Sequence, residues 1–353
     1  MYSQAMTAHE NAVVFATDAT YLPIAWTAAK TAAAQPGRNF DVLLLVATGL
    51  GRGVPPPPGC VMREVELPES LRGLPGPKHM SLFTYARLAV AELWAPGYRR
   101  LLYIDSDTRI AGPLAPLFRV DLRGAAIAMA EDCGRYLGDN AGRHDWDNYR
   151  ASLGLDLAAT YHNAGVLLID TARWREAQYW RRLQEFIAAR EGRLMFMDQD
   201  ALNAVCAGAI AELSPRWNFQ THYFALGLEQ TVRPAILHYA NVLKPWRDPE
   251  WAALYGRSDA QAFAALLAES PWLGLMQAGL TRPGRWRSWA ARRAAKRARH
   301  VTDAEIRRHV ANFTAMAPRL RLDVAAGLAA AAPRCADLSP DEAASWQAAL
   351  SPA

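Results

Sequence analysis

The 353-residue sequence predicts an α/β protein, with a mostly parallel sheet flanked by helices and a C-terminal helical extension. Three observations carry that prediction. Short apolar runs of strand length, such as VLLLVA (42–47) and RLLYI (100–104), alternate with stretches of helical length. Apart from Arg100, these runs are apolar throughout, as strands buried on both faces are. Several of them stop at acidic or polar residues, namely Asp18, Asp105 with Asp107, and Glu131 with Asp132. In an open α/β sheet that is the edge where ligands bind, outside the carboxyl ends of the strands.

The elements follow in chain order. NAVVFATDATY (11–21) reads as a buried strand entering a polar turn, followed by a helix to Ala34 and a break at QPGRN. FDVLLLVATG (40–49) is the second strand. GVPPPPG (53–59) is a stiff loop, because proline serves neither a ladder nor a helix interior. VMREVEL (61–67) alternates as a third strand. Residues 81–96 read as a helix with Ser81 as its cap and Pro96–Gly97 as its stop. RLLYI is the fourth strand. AAIAMAED (125–132) and NAGVLLID (163–170) are further strands, and 133–160 is a loop or short helix. TARWREAQYWRRLQEFIAAREG (171–192) and the stretch from Asp198 are helical, and PAILHYAN (234–241) is a last short strand. The pattern changes after about residue 256. A basic segment and then an Ala-rich helical tail follow.

Composition removes several classes of function. No apolar run approaches the roughly 20 residues of a membrane span. The N-terminus lacks the basic start and apolar core of a secretory signal, so a cytoplasmic protein is expected. The four cysteines, Cys60, Cys133, Cys206 and Cys335, show no zinc spacing and read as buried free thiols. The net charge of +5 is uneven. Residues 282–300 (RPGRWRSWAARRAAKRARH) hold eight Lys/Arg and no acid, and +5 less eight leaves −3 for the remainder.

D-x-D occurs three times. Asp145 and Asp147 follow no strand and read as a solvated loop. Asp198 and Asp200 open a helix, where carboxylates suit the free N–H groups, although FMDQDALN holds more polar groups than capping requires. Only Asp105-Ser106-Asp107 directly follows a buried strand. Two carboxylates at i and i+2 either converge on a hard cation such as Mg²⁺ or Mn²⁺ or form a solvated turn. His238, at the end of another strand, offers a neutral nitrogen ligand, and Lys244 offers a point charge for a diphosphate. Taken singly, these two read as a core histidine and a surface lysine. All four at predicted strand ends favour a metal–phosphate site.

The blocks VVFATDATY (13–21), TYARL (84–88), LLYIDSDTRI (101–110), PLAPLF (113–118), YHNAGVLLIDTARWR (161–175), DQDALNAV (198–205), RWNF (216–219) and HYANVLKPW (238–246) resemble, in order, those of glycosyltransferase family 8. These are retaining hexosyltransferases that include lipopolysaccharide galactosyl- and glucosyltransferases and the glycogenins. The resemblance implies a GT-A type domain over 1–256 and an extension over 257–353. It implies that Asp105, Asp107 and His238 hold Mn²⁺, with Mg²⁺ as the substitute, against the diphosphate of a UDP-hexose. Lys244 then holds that diphosphate as it leaves. Asp18 and Tyr21 meet the nucleoside, and Ser106 lies among the donor contacts. Arg87 reaches the donor sugar or phosphate. Asn163, Asp198 and Gln199 line the donor sugar and reaction centre, with Asp198, Gln199 and Lys244 as the catalytic set. Asp132, or else Glu131, sits near sugar or acceptor hydroxyls. His162 replaces a residue that is often aromatic, and it either touches the acceptor or packs. Ala19 and Thr20 depart from the acid and Asn usual after the first strand.

Retention requires either double displacement or attack on the leaving-group face. An amide such as Gln199 is a poor nucleophile, which favours same-face attack. The acceptor implied is a glycan or glycolipid of the lipopolysaccharide kind. The alternative is a nucleotide-sugar-binding protein with little turnover. The segment 282–300 suits an anionic membrane surface, which would make the protein peripheral on the inner face of the cytoplasmic membrane. A helix packed through Trp286 and Trp289 is the plainer reading. Nucleic acid is not expected as a partner.

Overall fold

A computed structural model describes residues 9–72, 81–136, 140–190, 193–224, 226–241, 243–246, 248, 251, 259–272 and 303–351. Among these residues the ten strands are β1 (Asn11–Thr17), β2 (Asp41–Ala47), β3 (Val61–Val65), β4 (Arg100–Ile104), β5 (Thr108–Ile110), β6 (Ile127–Glu131), β7 (His162–Asp170), β8 (Ile210–Leu213), β9 (Phe219–Gln220) and β10 (Ile236–His238). Seven form the main sheet in the order β3-β2-β1-β4-β7-β6-β8. All its pairings are parallel except the two made by β7, which runs antiparallel between β4 and β6. The reversal has a consequence for function. It brings the start of β7, His162 and Asn163, to the edge where β1, β4 and β6 end.

The core follows from strand periodicity. Successive side chains point to opposite faces. Val14, Leu43, Leu101, Tyr103 and Leu167 therefore enter one apolar layer, and Val13, Phe15, Leu44, Leu102 and Leu168 the other. Helix α1 (Leu22–Ala33) covers the second layer. The first is covered by α2 (Ala86–Ala89), α4 (Thr171–Glu176), α5 (Tyr179–Ala188) and α6 (Asp198–Val205). Between α2 and α4 in the chain lies α3 (Asn140–Ser152). Of the helix expected at 81–96, only α2 is α-helical, with a 3-10 turn before it and a π turn after it. The helix expected at 171–192 breaks at Gln178, whose φ is 54°. Asp145 and Asp147 lie on α3 rather than in a loop.

A small sheet, β5-β10-β9, caps the strand ends. β10 pairs with both neighbours so that His238 sits opposite Thr108 and beside Gln220. That pairing carries His238 to the Asp105–Asp107 turn.

Helices α7 (Asp259–Ala268), α8 (Asp303–Ala331) and α9 (Pro340–Leu350) follow. Ser339 starts α9 with a capping box to Glu342. Phe313, Leu320, Val324, Leu328 and Trp346 share an apolar cluster with Phe219, Tyr223 and Tyr239. Arg334–Glu212 at 3.0 Å and Arg216–Glu342 at 3.3 Å fasten the same junction. The boundary expected near 256 and the basic segment 282–300 lie outside the described residues. No described helix is long and apolar enough to cross a membrane. The four cysteines are free, and three of them are buried.

Candidate active site

The ends of β1 and β4 and the start of α2 border a pocket of about 240 Å³ lined by Asp18, Tyr21, Arg87, Asp105, Ser106 and Asp107, among others. Each reaches it for a local reason. Asp18 accepts a bond from Thr20 N–H (2.9 Å), which folds the turn after β1. Tyr21 stands edge-on to Trp246. Ser106 Oγ donates to Ala16 O (3.1 Å), tying the aspartate turn to β1. Asp105 N–H donates to Gly165 O, and Thr108 Oγ1 donates to Asp105 O, so the turn leaves β4 in one fixed direction.

Asp105, Asp107 and His238 each offer a ligand atom, all within 4.8 Å of one another. His238 Nε2 lies 3.3 Å from Asp107 Oδ1 and 3.9 Å from Asp105 Oδ2. Two carboxylate oxygens and one imidazole nitrogen form a donor set suited to a divalent ion of the Mg²⁺–Mn²⁺ kind. Lys244 Nζ sits 2.7 Å from Asp107 Oδ2 and also donates to Tyr239 O (2.6 Å). Burial pushes the Asp107 carboxyl up, but the Lys244 ammonium leads the groups that outweigh it and hold it well below the usual carboxylate range. Asp105 goes the other way, with burial raising it against the opposing pull of Arg87.

Arg87 is buried and bridges two acids. Its guanidinium meets Asp105 Oδ1 at 2.9 Å and Asp198 Oδ2 at 2.8 Å, and it also donates to Thr84 O and Ala164 O. Burial lifts the Asp198 carboxyl to about 7 despite that arginine. Asp198 opens α6 directly after Met197, which is held at φ 49° and ψ −111°. That conformation costs a side-chain-bearing residue of order 1–3 kcal/mol. Asp200 faces away from the pocket and accepts from Tyr149 Oη, Tyr161 Oη and Phe196 N–H.

The N-A-G block is an irregularity in β7. Ala128 pairs with Leu168, yet Ala130 pairs with Asn163 where an unbroken register would give Val166. The extra residues turn their polar groups to the site, as bulges beside active sites do. Asn163 Nδ2 donates to Asp132 Oδ2 (2.8 Å), and Gln199 Nε2 donates to the same oxygen (3.0 Å). Gln199 Oε1 accepts from Ala164 N–H (3.0 Å). Glu131 instead accepts from Tyr136 Oη, which itself lies against Gly327 of α8. His162 is buried, its backbone is clasped by Asn203, and burial lowers it to about 4. Packing accounts for it.

Sequence reasoning passed over Asn218 and Tyr103. Asn218 is fully buried between Trp217 and Phe219, and its Oδ1 lies 2.8 Å from His238 Nδ1. Tyr103 Oη donates to Asp105 Oδ1 (3.1 Å). A buried Asn between two buried aromatics was the signal for Asn218. Tyr103 is an ordinary strand residue and gave none.

The profile of glycosyl transferase family 8 matches residues 60–250. The chain belongs to glycosyltransferase family 8. Lipopolysaccharide glucosyltransferase WaaO of Escherichia coli (strain K12) is 30% identical over 213 residues, 58% of this chain and 59% of its own. General stress protein A of Bacillus subtilis (strain 168) is 29% identical over 183 residues, 48% of this chain and 60% of its own. The match thus spans about three-fifths of the length of these relatives. The crystal structure of the galactosyltransferase LgtC with donor and acceptor sugar analogues superposes with a TM-score of 0.60 at 25% identity. It covers 78% of this family 8 chain and 99% of that one. The GT-A-like layout expected from the sequence, a sheet flanked by helices with a helical C-terminal part, is the one observed.

Proposed function

We propose that this family 8 protein is a retaining glycosyltransferase that moves galactose or glucose from a UDP-hexose to a glycan or glycolipid acceptor of the lipopolysaccharide kind, with Mn²⁺ as its cofactor and Mg²⁺ as the substitute. One observation carries the reading: Asp105, Asp107, His238 and Lys244 meet at the strand edge beside the pocket that Asp18 and Tyr21 line. A divalent ion held by Asp105, Asp107 and His238 would offset negative charge on the departing diphosphate.

The chain's own residues supply the rest. Lys244 is anchored by Asp107 and Tyr239 O, with its ammonium 5.8 Å from the Tyr21 ring. It presents a fixed cation to the diphosphate, and a fixed charge needs no reorganisation as the bond breaks. Asp18, Tyr21 and Ser106 receive the nucleoside end of the donor. Arg87 holds Asp105 and Asp198 in place and closes the donor sugar's side of the pocket. Asn163 and Asp132 lie beside the sugar hydroxyls. Asp198 faces the anomeric carbon as positive charge develops there. Both ends of the Gln199 amide are bonded, to Ala164 N–H and to Asp132, which supports same-face attack over double displacement. In that path the leaving phosphate oxygen takes the acceptor hydroxyl's proton.

The test is UDP release from UDP-galactose and UDP-glucose with Mn²⁺, repeated after chelation and with Asp105→Ala and Asp107→Ala. Loss of release in both variants and on chelation is expected. Undiminished rates in either variant refute the metal assignment, and tight donor binding without release indicates a binding protein. The segment 282–300 adds a peripheral docking surface for anionic lipid. Equal liposome co-sedimentation of the full chain and a chain ended near residue 280 removes that part.

A further inference from the structure

The His238 ring is held from behind by a chain of buried amides whose directions can be read from one fixed donor. Gly165 N–H donates to Asn163 Oδ1 (2.9 Å). A backbone N–H can only donate, so the atom facing it is the Asn163 oxygen and not its nitrogen. The same oxygen lies 2.8 Å from Asn218 Nδ2. An oxygen already facing one donor needs a second donor there, so Asn218 turns its NH₂ to Asn163. Its carbonyl oxygen then faces His238 Nδ1 at 2.8 Å. Asn163 Nδ2, on the other side, points to the Asp132 carboxylate, an acceptor, so the far end agrees. Asn163, Asn218 and His238 are all at least nine-tenths buried, so solvent does not compete for these groups.

We propose that Asn218 is a positioning residue that fixes the His238 imidazole with its proton on Nδ1 and presents a bare Nε2 to Asp105 and Asp107. A histidine's free nitrogen is set by the bond its other nitrogen makes. Here the bond is made by an amide oxygen that has no freedom to flip. The order of dependence runs from the β7 irregularity, through Asn163 and Asn218, to the ring. An Nε2 lone pair 3.3 Å from a carboxylate oxygen is an unfavourable pairing of acceptors until a cation lies between them. The buried relay holds the ring in that arrangement before any ion arrives. The consequence for ion affinity rests on the metal reading above, whereas the placement of the proton does not.

Two measurements test it. The first is imidazole ¹⁵N NMR of the metal-free wild-type chain at alkaline pH. A proton on His238 Nδ1 and none on Nε2 is expected, and a proton on Nε2 overturns the proposal without any variant having to fold. The second is Mn²⁺ affinity, read by calorimetry, of Asn218→Leu and Asn218→Asp. The leucine leaves Nδ1 without an acceptor, and affinity is expected to fall ~10–100-fold, the usual scale for an outer-shell partner. The aspartate still accepts from Nδ1–H, and its affinity is expected to stay well above that of the leucine variant. Its melting temperature should be the lower of the two, because it buries a charge against the Asn163 oxygen. A residue that merely packed would rank both quantities the same way. Wild-type affinity in Asn218→Leu, or weaker binding in Asn218→Asp than in Asn218→Leu, overturns the proposal. Failure of the wild type to bind Mn²⁺ while its Nδ1 carries the proton removes the metal reading and leaves the positioning intact.

Discussion

Gly165 lies against the His238 imidazole so closely that a β-carbon on it would overlap ring atom Cε1. The glycine is therefore required by contact. Its own backbone takes no left-handed conformation. Gly165→Ala is expected to push the ring away from Asp105 and Asp107 and to lower Mn²⁺ affinity by at least about tenfold, measured by calorimetry. Overpacking of this kind costs about 1–3 kcal/mol, which urea denaturation would register as a modest loss in a folded protein. Wild-type affinity in the variant would mean that the ring is free to move and that the close contact carries no consequence.

His162 gives the fold a pH dependence of predictable sign. Its folded pKa lies near 4, against about 6.5 when exposed, because burial disfavours the cation. Between those values the unfolded chain binds the extra proton, so stability is complete above about pH 6.5 and is lost as pH falls towards 4. The full loss is on the order of 3 kcal/mol, from 1.36 kcal/mol per pKa unit. Asp198, raised to about 7, slopes the opposite way, since it keeps its proton in the folded state while the unfolded chain releases one. The two partly cancel in the wild type. The difference in urea stability between wild type and His162→Phe isolates the histidine, and the advantage of the variant should grow steadily from pH 6.5 down to 4. A difference independent of pH would show that His162 is not buried neutral.

The residues around the site also show what could be read in advance. The placement of Asp105 and Asp107 at a strand end was legible because an apolar run interrupted by two acids has few structural explanations. His238 and Lys244 were legible by the same logic of polar residues at strand ends. The direction of β7 was not, because an apolar strand buried on both faces looks alike in either orientation. The strands β5, β8 and β9 were missed because they hold two to four residues each, too few to show a period. Gly165 and Asn218 stood inside recognised blocks, yet their work depends on contacts with β10, nearly twenty residues or more away in sequence. The break at Gln178 was hidden because no glycine or proline marks it.

Among the described residues Arg87 is the sole arginine bonding both Asp105 and Asp198, and its removal leaves a buried and a half-buried carboxylate without it. Arg87→Met is expected to cost about 3–5 kcal/mol in chemical denaturation, the range for breaking a buried ion pair from one side. Asp198 should then titrate above its present value near 7, so the loss should deepen as pH rises through neutrality. Arg87→Lys should recover part of the loss at most, because a single ammonium does not reproduce a planar fork that spans two acids. Full stability in the lysine variant would argue that charge alone, without geometry, suffices there.

The C-terminal segment reaches the site through Asp337. Its carboxylate accepts from Ser214 N–H (2.7 Å), Ser214 Oγ (2.6 Å) and Trp217 Nε1 (2.9 Å). Those donors flank the 3-10 turn Pro215–Trp217, and Asn218 is the next residue. Asp337→Ala strands a buried indole N–H and a buried hydroxyl. Charge-assisted bonds contribute about 1.5–3 kcal/mol each and are not additive, so a loss of about 3 kcal/mol is expected. The loss should come with a shift in tryptophan emission as Trp217 is freed. Because the turn leads into Asn218, Mn²⁺ affinity should fall in the same variant, whereas Arg334→Ala, which removes its pair with Glu212 and its bond to Ala330 O, should leave affinity unchanged. If Asp337→Ala lowered stability but bound Mn²⁺ as tightly as the wild type, the C-terminal segment would be supporting the fold without steering the His238 ring.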